Sequence, residues 1–246
     1  MRIALLSDIH ANREAFEACL DDATRKGAAR FVLLGDIVGY GADPGWAVAR
    51  ARELLSHGAI VLRGNHDEAC ASPRGGMTAD AAAAIAWTRS VVTPEDAAFL
   101  GALPLEAEEE DRLYVHAEAS APARWIYLRD ATDARTSLDA VAARLVFCGH
   151  VHVPALYGLT ATAKLVSFTP VAGVAVPLAR PRRWHAVLGA VGQPRDGEPA
   201  AAWSLLDTTA SEITLHRVPY DVATAARKIR DAGLPEALAT RLSRGR

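Results

Sequence analysis

Five short apolar runs in this chain each end on residues that can carry a proton or hold a cation. Ile3–Leu6 leads into Ser7-Asp8-x-His10, Phe31–Leu34 into Gly35-Asp36, and Ile60–Leu62 into Arg63-Gly64-Asn65-His66-Asp67. Leu113–Val115 leads into His116, and Leu145–Cys148 into Gly149-His150-x-His152. Short apolar runs bounded by Gly, Asp and Asn read as β-strands. Helical stretches separate the first three. Asn12 caps one with Ala15, Phe16, Cys19, Leu20 and Ala23 at helical spacing, closed by Gly27. Pro44 opens another with Val48, Ala51, Leu54 and Leu55, ended by His57-Gly58. Strand–helix alternation implies βαβ units and parallel pairing. Ligands of open α/β sheets gather beyond the carboxyl ends of the parallel strands. Five of the eight histidines and two strand-terminal aspartates are therefore expected at one rim.

The rest of the chain reads differently. Thr78–Arg89 is an Ala-rich helix, Thr93-Pro94-Glu95 starts a short one, and Leu138–Ala143 has helical character. The acidic run Glu106–Asp111 reads as a solvated turn. From Ala155 onward, Leu156–Leu159, Lys164–Phe168, Trp184–Leu188, Trp203–Leu206 and Ile213–Val218 form short strands whose spacing suits an antiparallel sheet. Ala223–Arg244 closes the chain as two short outer helices. Without an internal repeat or a long linker, the expectation is one domain over residues 1–246, with a core over 1–217 and a C-terminal helical segment over 218–246.

Charge and hydropathy narrow the function classes. Among 246 residues, 27 Lys and Arg stand against 29 Asp and Glu, a net charge of −2 that does not suit an electrostatic nucleic-acid binder. No apolar run approaches the ~20 residues of a membrane span, and the N-terminus lacks a signal-peptide pattern, so a cytoplasmic protein without a membrane partner is expected. Cys19, Cys70 and Cys148 share no metal or redox spacing and read as small buried hydrophobes.

Residues two apart on an extended chain point to one side, so Asp8 with His10, and His150 with His152, can each aim at one point. Alone, an Asp-x-His after a strand is usually a turn or cap, and Asn-His-Asp a loop. Occurring together at strand ends, they point to metal. Imidazoles with carboxylates suit Mn, Fe, Co, Ni or Zn more than Ca. About seven donors exceed one closed four-coordinate site and imply two ions sharing a carboxylate. His57 closes a helix, and His185 and His216 fall in late strands away from the rim.

Asp8-x-His10, Gly35-Asp36-x-x-Gly39, Gly64-Asn65-His66-Asp67, His116 and Gly149-His150-x-His152 resemble, in order, the calcineurin-like metallophosphoesterase superfamily. Gly35–Pro44 (GDIVGYGADP) and Val191–Gly197 (VGQPRDG) look like its small prokaryotic branch, related to YfcE-type phosphodiesterases. The resemblance implies an α/β fold, a β-sandwich of two mixed sheets flanked by helices in four layers (α/β/β/α). It implies one divalent ion on Asp8, His10, Asp36 and His152, and a second on Asp36, Asn65, His116 and His150. It implies that His66 lies near the leaving-group oxygen as a catalytic residue, with Asp67 orienting it or capping the loop. The expected activity is hydrolysis of phosphodiesters or phosphomonoesters, the two ions activating a hydroxide for in-line attack.

Two alternatives share the fold. A non-catalytic binding or scaffold module, of which a retromer subunit is a precedent, has a degraded site, whereas this chain keeps His66. A bis-nucleoside polyphosphate or protein phosphatase would read G-D-x-V-D-R-G where this chain has Gly35-Asp36-Ile37-Val38-Gly39-Tyr40-Gly41. Relatives carry Gly where this chain has Ala11 and Ala117, so a positive φ at either would be strained. With no insertion for a cap, the site is expected as a shallow, open edge taking small phosphate esters with little base or sugar readout. Arg195, on the loop Gly189–Gly197, is a candidate grip on a phosphate oxygen. The late strands leave homo-oligomer pairing open.

Overall fold

In the computed structural model, which describes residues 1–72 and 75–246, two six-stranded mixed sheets pack face to face. In the first sheet β1 (Arg2–Leu6) is central. β2 (Arg30–Leu33) and β3 (Ile60–Val61) lie parallel to it on one side. Antiparallel β11 (Ala201–Asp207), β12 (Glu212–Val218) and β9 (Ala175–Pro177) lie on the other. The second sheet runs β4 (Glu106–Glu109), β5 (Arg112–Val115), β6 (Leu145–Cys148), β10 (Arg182–Val187), β7 (Ala155–Thr160) and β8 (Leu165–Phe168). Its central strands β5, β6 and β10 are parallel.

The central strands are continuously apolar because both of their faces are covered. On β1, Ile3 and Leu5 pack between the sheets with Val32, Tyr114, Phe147, Trp184 and Leu206. Ala4 and Leu6 face the other way, against Phe16, Cys19 and Leu20 of α1 (Arg13–Arg25) and Val48 of α2 (Pro44–Ser56). On β6, Val146 and Cys148 lie under Ala134 and Leu138 of α6 (Ala131–Asp139). The layers are α/β/β/α, as expected. Helices α3 (Asn65–Ala71), α4 (Ala79–Val91) and α5 (Pro94–Ala102) follow β3, and α7 (Val222–Asp231) and α8 (Glu236–Arg244) end the chain. Among the described residues no helix is long and apolar enough to cross a membrane.

Several sequence expectations are corrected. The acidic run is a turn only at its end: Glu106–Glu109 is the edge strand β4, its residues alternately exposed and half-buried, and Glu110 and Asp111 make the turn into β5. Charged residues suit an edge strand because they oppose further pairing. The expected helix at Leu138–Ala143 lies earlier, where the Asp130 carboxylate accepts from the Thr132 and Asp133 amides and caps α6. The late strands do not make one antiparallel sheet. β7, β8 and β10 belong to the second sheet and β9, β11 and β12 to the first. Cys19, Cys70 and Cys148 are buried free thiols, as expected. Burial pushes Cys70 up to about 11 and raises Cys19 and Cys148 further, leaving them unreactive.

His185, on β10, is fully buried away from the rim, with Nε2 at 2.9 Å from the Ser137 hydroxyl. Burial lowers its pKa from 6.5 to about 3. The unfolded chain therefore takes up a proton below pH 6.5 that the folded chain refuses. The stability this neutral imidazole confers is complete above pH 6.5 and is lost as pH falls toward 3. Between those limits one proton corresponds to at most ~1.4 kcal/mol per pH unit. Chemical denaturation at pH 7, 6, 5 and 4.5 should give a shallower acid limb for His185→Gln than for the parent; equal slopes would refute this.

Candidate metal centre

Strands of both sheets stop at one end of the sandwich, and the chain leaves them through left-handed backbone. After β1 come Asp8, His10 and Ala11 at φ +56°, +51° and +50°. Asp36, after β2, has φ +52°, and His150 and His152, after β6, have +66° and +64°. Eleven non-glycine residues have positive φ among the described residues. Glu110, Ala163 and Ser211 lie in turns between hairpin strands, and the other eight, which include Tyr40 and Trp125, surround this end. Such backbone costs ~1–2 kcal/mol per residue and persists only where its surroundings hold it. Here the His10 and Ala11 amides donate to the Asp36 and Ile37 carbonyls at 2.8 Å, and Gly192 donates to the Asp8 carbonyl at 2.8 Å. The expected convergence is present, but sharp turns produce it and not an extended chain. Of the two alanines flagged in the sequence, Ala11 is the strained one; Ala117 is not among the positive-φ residues.

Backbone carbonyls fix the tautomers of the four histidines that face inward. Nδ1 of His10, His116 and His152 meets the carbonyls of Val38, Leu34 and Gln193 at 3.2, 2.8 and 2.6 Å. For His150 it is Nε2 that meets the Trp125 carbonyl, at 3.1 Å. A carbonyl only accepts, so in the neutral ring the proton lies there and the opposite nitrogen presents a lone pair. These lone pairs face other acceptors. His152 Nε2 is 3.2 Å from His10 Nε2 and 3.2 Å from Asp8 Oδ1. His116 Nε2 is 3.4 Å from Asp36 Oδ2 and 3.2 Å from Asn65 Oδ1, and His10 Nε2 is 3.7 Å from Asp36 Oδ2. Acceptors held this close repel unless a cation or proton lies between them. The donor set thus fits divalent cations, with Asp36 between the two clusters. Three sets of donor atoms lie within 4.8 Å of one another: Asp8, His10 and His152; Asp36, His116 and His150; and His10, Asp36 and His66.

The charge states agree. Burial drives His10 well below the ordinary histidine range, His66 to about 4 and His150 to about 3, so these rings are neutral. Burial also opposes ionisation of Asp8 and Asp36, but His152 beside the first and His116 beside the second override it and hold both carboxyls below their usual range. His116 goes the other way: against burial, Asp36 carries it up to about 9. A pocket of acceptors that draws a proton draws a divalent cation more strongly.

Asn65, His66 and Asp67 are not a loop but the first turn of α3. A side chain at Gly64 would run into the Asp36 carboxylate, and one at Gly39 into the His66 ring, so both positions require glycine. The His66 amide donates to Asp36 Oδ1 at 2.8 Å, while its Nδ1 has no hydrogen-bond partner among the described residues. Asp67 does not orient that ring. Its carboxylate accepts from the amides of Ile37, Val38 and Gly64 at 2.9, 3.1 and 2.9 Å, which makes it the loop cap. The catalytic assignment of Asp67 gives way to a positioning one. Arg195 folds back to the rim, 5.7 Å above the Tyr40 ring, with its guanidinium on the Gln193 side chain at 3.0 Å. It does not hold Asp196, which pairs with Arg217.

The site is not a bare edge. A cavity of about 340 Å³ adjoins Asn65, His66 and His150, walled by Tyr40, Trp125 and Tyr127. Sequence reading passed over Trp125 and Tyr127 because residues 117–130 show no periodicity. Two aromatics separated by one residue in a loop were the available signal.

Residues 1–211 match the calcineurin-like phosphoesterase superfamily domain, and the chain belongs to that superfamily. An uncharacterized protein of Methanocaldococcus jannaschii is 34% identical over 251 residues, covering 99% of this chain and 98% of that one. The crystal structure of a metallophosphoesterase from Sphaerobacter thermophilus aligns at 37% identity with a TM-score of 0.88, over 100% of this chain and 99% of its own. A hypothetical protein from Pyrococcus horikoshii OT3 shares the fold at 19% identity and a TM-score of 0.79, over 100% and 98% of the two chains.

The strain at Ala11 gives a stability test. Ala11→Gly loses a buried methyl group but relieves the left-handed residue, two effects of ~1 kcal/mol each in opposite directions, so its Tm should stay within a few degrees. Ala11→Val puts a β-branched residue at positive φ in a packed site and should cost ~3 kcal/mol or more. Thermal melts ranking Val at or above Gly would show that the backbone there is not strained.

Proposed function

We propose that the chain is a metal-dependent hydrolase of phosphodiesters or phosphomonoesters, with two divalent transition ions (Mn, Fe, Ni, Co or Zn) as cofactors and a small phosphate ester as substrate. The carrying observation is the cluster of mutually facing lone pairs. Asp8, His10, Asp36 and His152 would hold one ion, and Asp36, Asn65, His116 and His150 the other. When bound, such a pair supplies Lewis-acid neutralisation of the phosphoryl group and activation of water near neutral pH.

The chain's own residues do the rest. Asp36 draws both donor clusters onto one carboxylate, and its bond to the His66 amide keeps His66 beside them. The His66 ring is neutral and its Nδ1 has no acceptor among the described residues, which favours its single proton on Nε2. From there it can hydrogen-bond the oxygen of the departing alcohol and stabilise the charge that develops on it, a contribution of roughly 10²–10³-fold. Asp67 holds the backbone of Ile37 and Val38 and so fixes the loop that carries Asp36. Arg195, at the rim above Tyr40, would bind a non-bridging phosphate oxygen.

Three outcomes follow for protein reconstituted with Mn²⁺. His66→Ala should keep its metal content and lose ~100-fold or more in kcat on an alkyl phosphodiester, and less on a nitrophenyl ester whose leaving oxygen needs little stabilisation. An equal loss on both would remove His66 from the leaving group. Elemental analysis should show Asp36→Asn losing both ions and His152→Ala mainly one; equal losses would rule out Asp36 as the shared ligand. Arg195→Ala should raise KM with metal content and Tm held, and an unchanged KM with lowered Tm would assign Arg195 to the fold.

A further inference from the structure

The cavity beside His66 has a wall that phosphate chemistry does not require. Tyr127 stacks on the His150 ring with centroids 4.0 Å apart and planes 25° apart, and Trp125 meets His116 edge-on at 5.7 Å. Across the cavity, Tyr40 lies 4.5 Å from the His66 ring. The indole is held in place. Trp125 sits at φ +54°, its Nε1 donates to Glu68 at 2.9 Å, and its carbonyl takes the His150 ring proton. A strained residue fixed at both its backbone and its side chain, half-buried beside an open cavity, is a preorganised surface. The volume, about 340 Å³, falls in the lower part of the range for small-ligand pockets, roughly 300–1,000 Å³.

We infer that this cavity is a subsite for a planar ring on the departing alcohol, so the preferred substrates are phosphodiesters whose leaving alcohol carries such a ring, as a nucleoside 5′-hydroxyl does. The inference rests on the phosphoesterase reading and deepens it. In the hydrolysis, water forms the new P–O bond, the bond from phosphorus to the alcohol oxygen breaks, and the alcohol leaves with a proton. Because His66 forms part of the cavity's inner wall, an alcohol leaving toward His66 leaves into the cavity, and its ring meets Trp125. Stacking of a base on an aromatic side chain changes binding by about 10- to 100-fold.

The test compares two substrates with the same leaving hydroxyl. One is the methyl diester of thymidine 5′-phosphate, and the other is the methyl diester of its abasic analogue with hydrogen in place of the base. For the Mn²⁺-loaded protein, kcat/KM should favour the thymidine diester by about 10- to 100-fold. The ratio should fall close to 1 in Trp125→Ala and be largely retained in Trp125→Phe, whatever the absolute rates. Calorimetry gives a readout free of turnover. Thymidine, the departing alcohol, should bind at least 10-fold tighter than its abasic analogue, and Trp125→Ala should erase the difference. A ratio near 1 in the parent protein, or one unchanged in Trp125→Ala, overturns the inference while turnover of the abasic diester leaves the phosphoesterase reading intact. No turnover of either diester, of bis(nitrophenyl) phosphate or of nitrophenyl phosphate overturns that reading, and this one with it.

Discussion

Lone pairs forced against lone pairs organise this molecule. His10, His116, His150 and His152 each give a ring proton to a backbone carbonyl and turn the opposite nitrogen inward. There these nitrogens meet one another and the carboxylates of Asp8 and Asp36, and on His116 a second proton, drawn by Asp36, takes the place a cation would fill. Without a cation the arrangement is costly, and five of its donor residues also sit in left-handed backbone. At ~1–2 kcal/mol apiece, that strain is a sizeable share of the ~5–15 kcal/mol by which a domain is stable. A site that stores this much unfavourable energy is held by everything around it.

The surrounding structure does that in layers. The two sheets bring the ends of β1, β2 and β6 together, and the packed core between them leaves those ends no freedom to shift. Asp67 ties down the turn after β2 through the Ile37 and Val38 amides and the start of α3 through that of Gly64. The C-terminal helices brace the loops from outside. Lys228 of α7 bonds Asp43 at 2.8 Å, and the Gly197 amide donates to the Gly245 carbonyl at 2.8 Å. Tyr220, just before α7, meets Asn12, whose side chain also holds the Gly192 carbonyl at 2.8 Å. Residues beyond the superfamily match at 1–211 thus steady the turns that carry Tyr40 and Arg195.

What could be read from the sequence follows from what is local. Strand ends were legible because apolar runs stop where Asp, His and Asn begin, and the layer order followed from the resemblance those residues carry. The division of late strands between two sheets was not legible, because pairing partners such as β6 and β10 are distant in sequence. The role of Asp67 was not legible either. A carboxylate beside a histidine in sequence suggests an ion pair, yet the helical turn at Asn65–Ala71 points it at the Ile37 and Val38 amides. The aromatic wall was hidden for a related reason. Trp125 matters through a fixed left-handed turn and its bond to Glu68, neither of which leaves a periodic pattern.

The central claim is that the strained strand ends form two adjoining cation sites that share Asp36. Anomalous diffraction from crystals grown with Mn²⁺ tests it directly. Two peaks are predicted, one enclosed by Asp8, His10, Asp36 and His152 and the other by Asp36, Asn65, His116 and His150. A single peak at saturating metal, or two peaks with no common contact to Asp36, would contradict it.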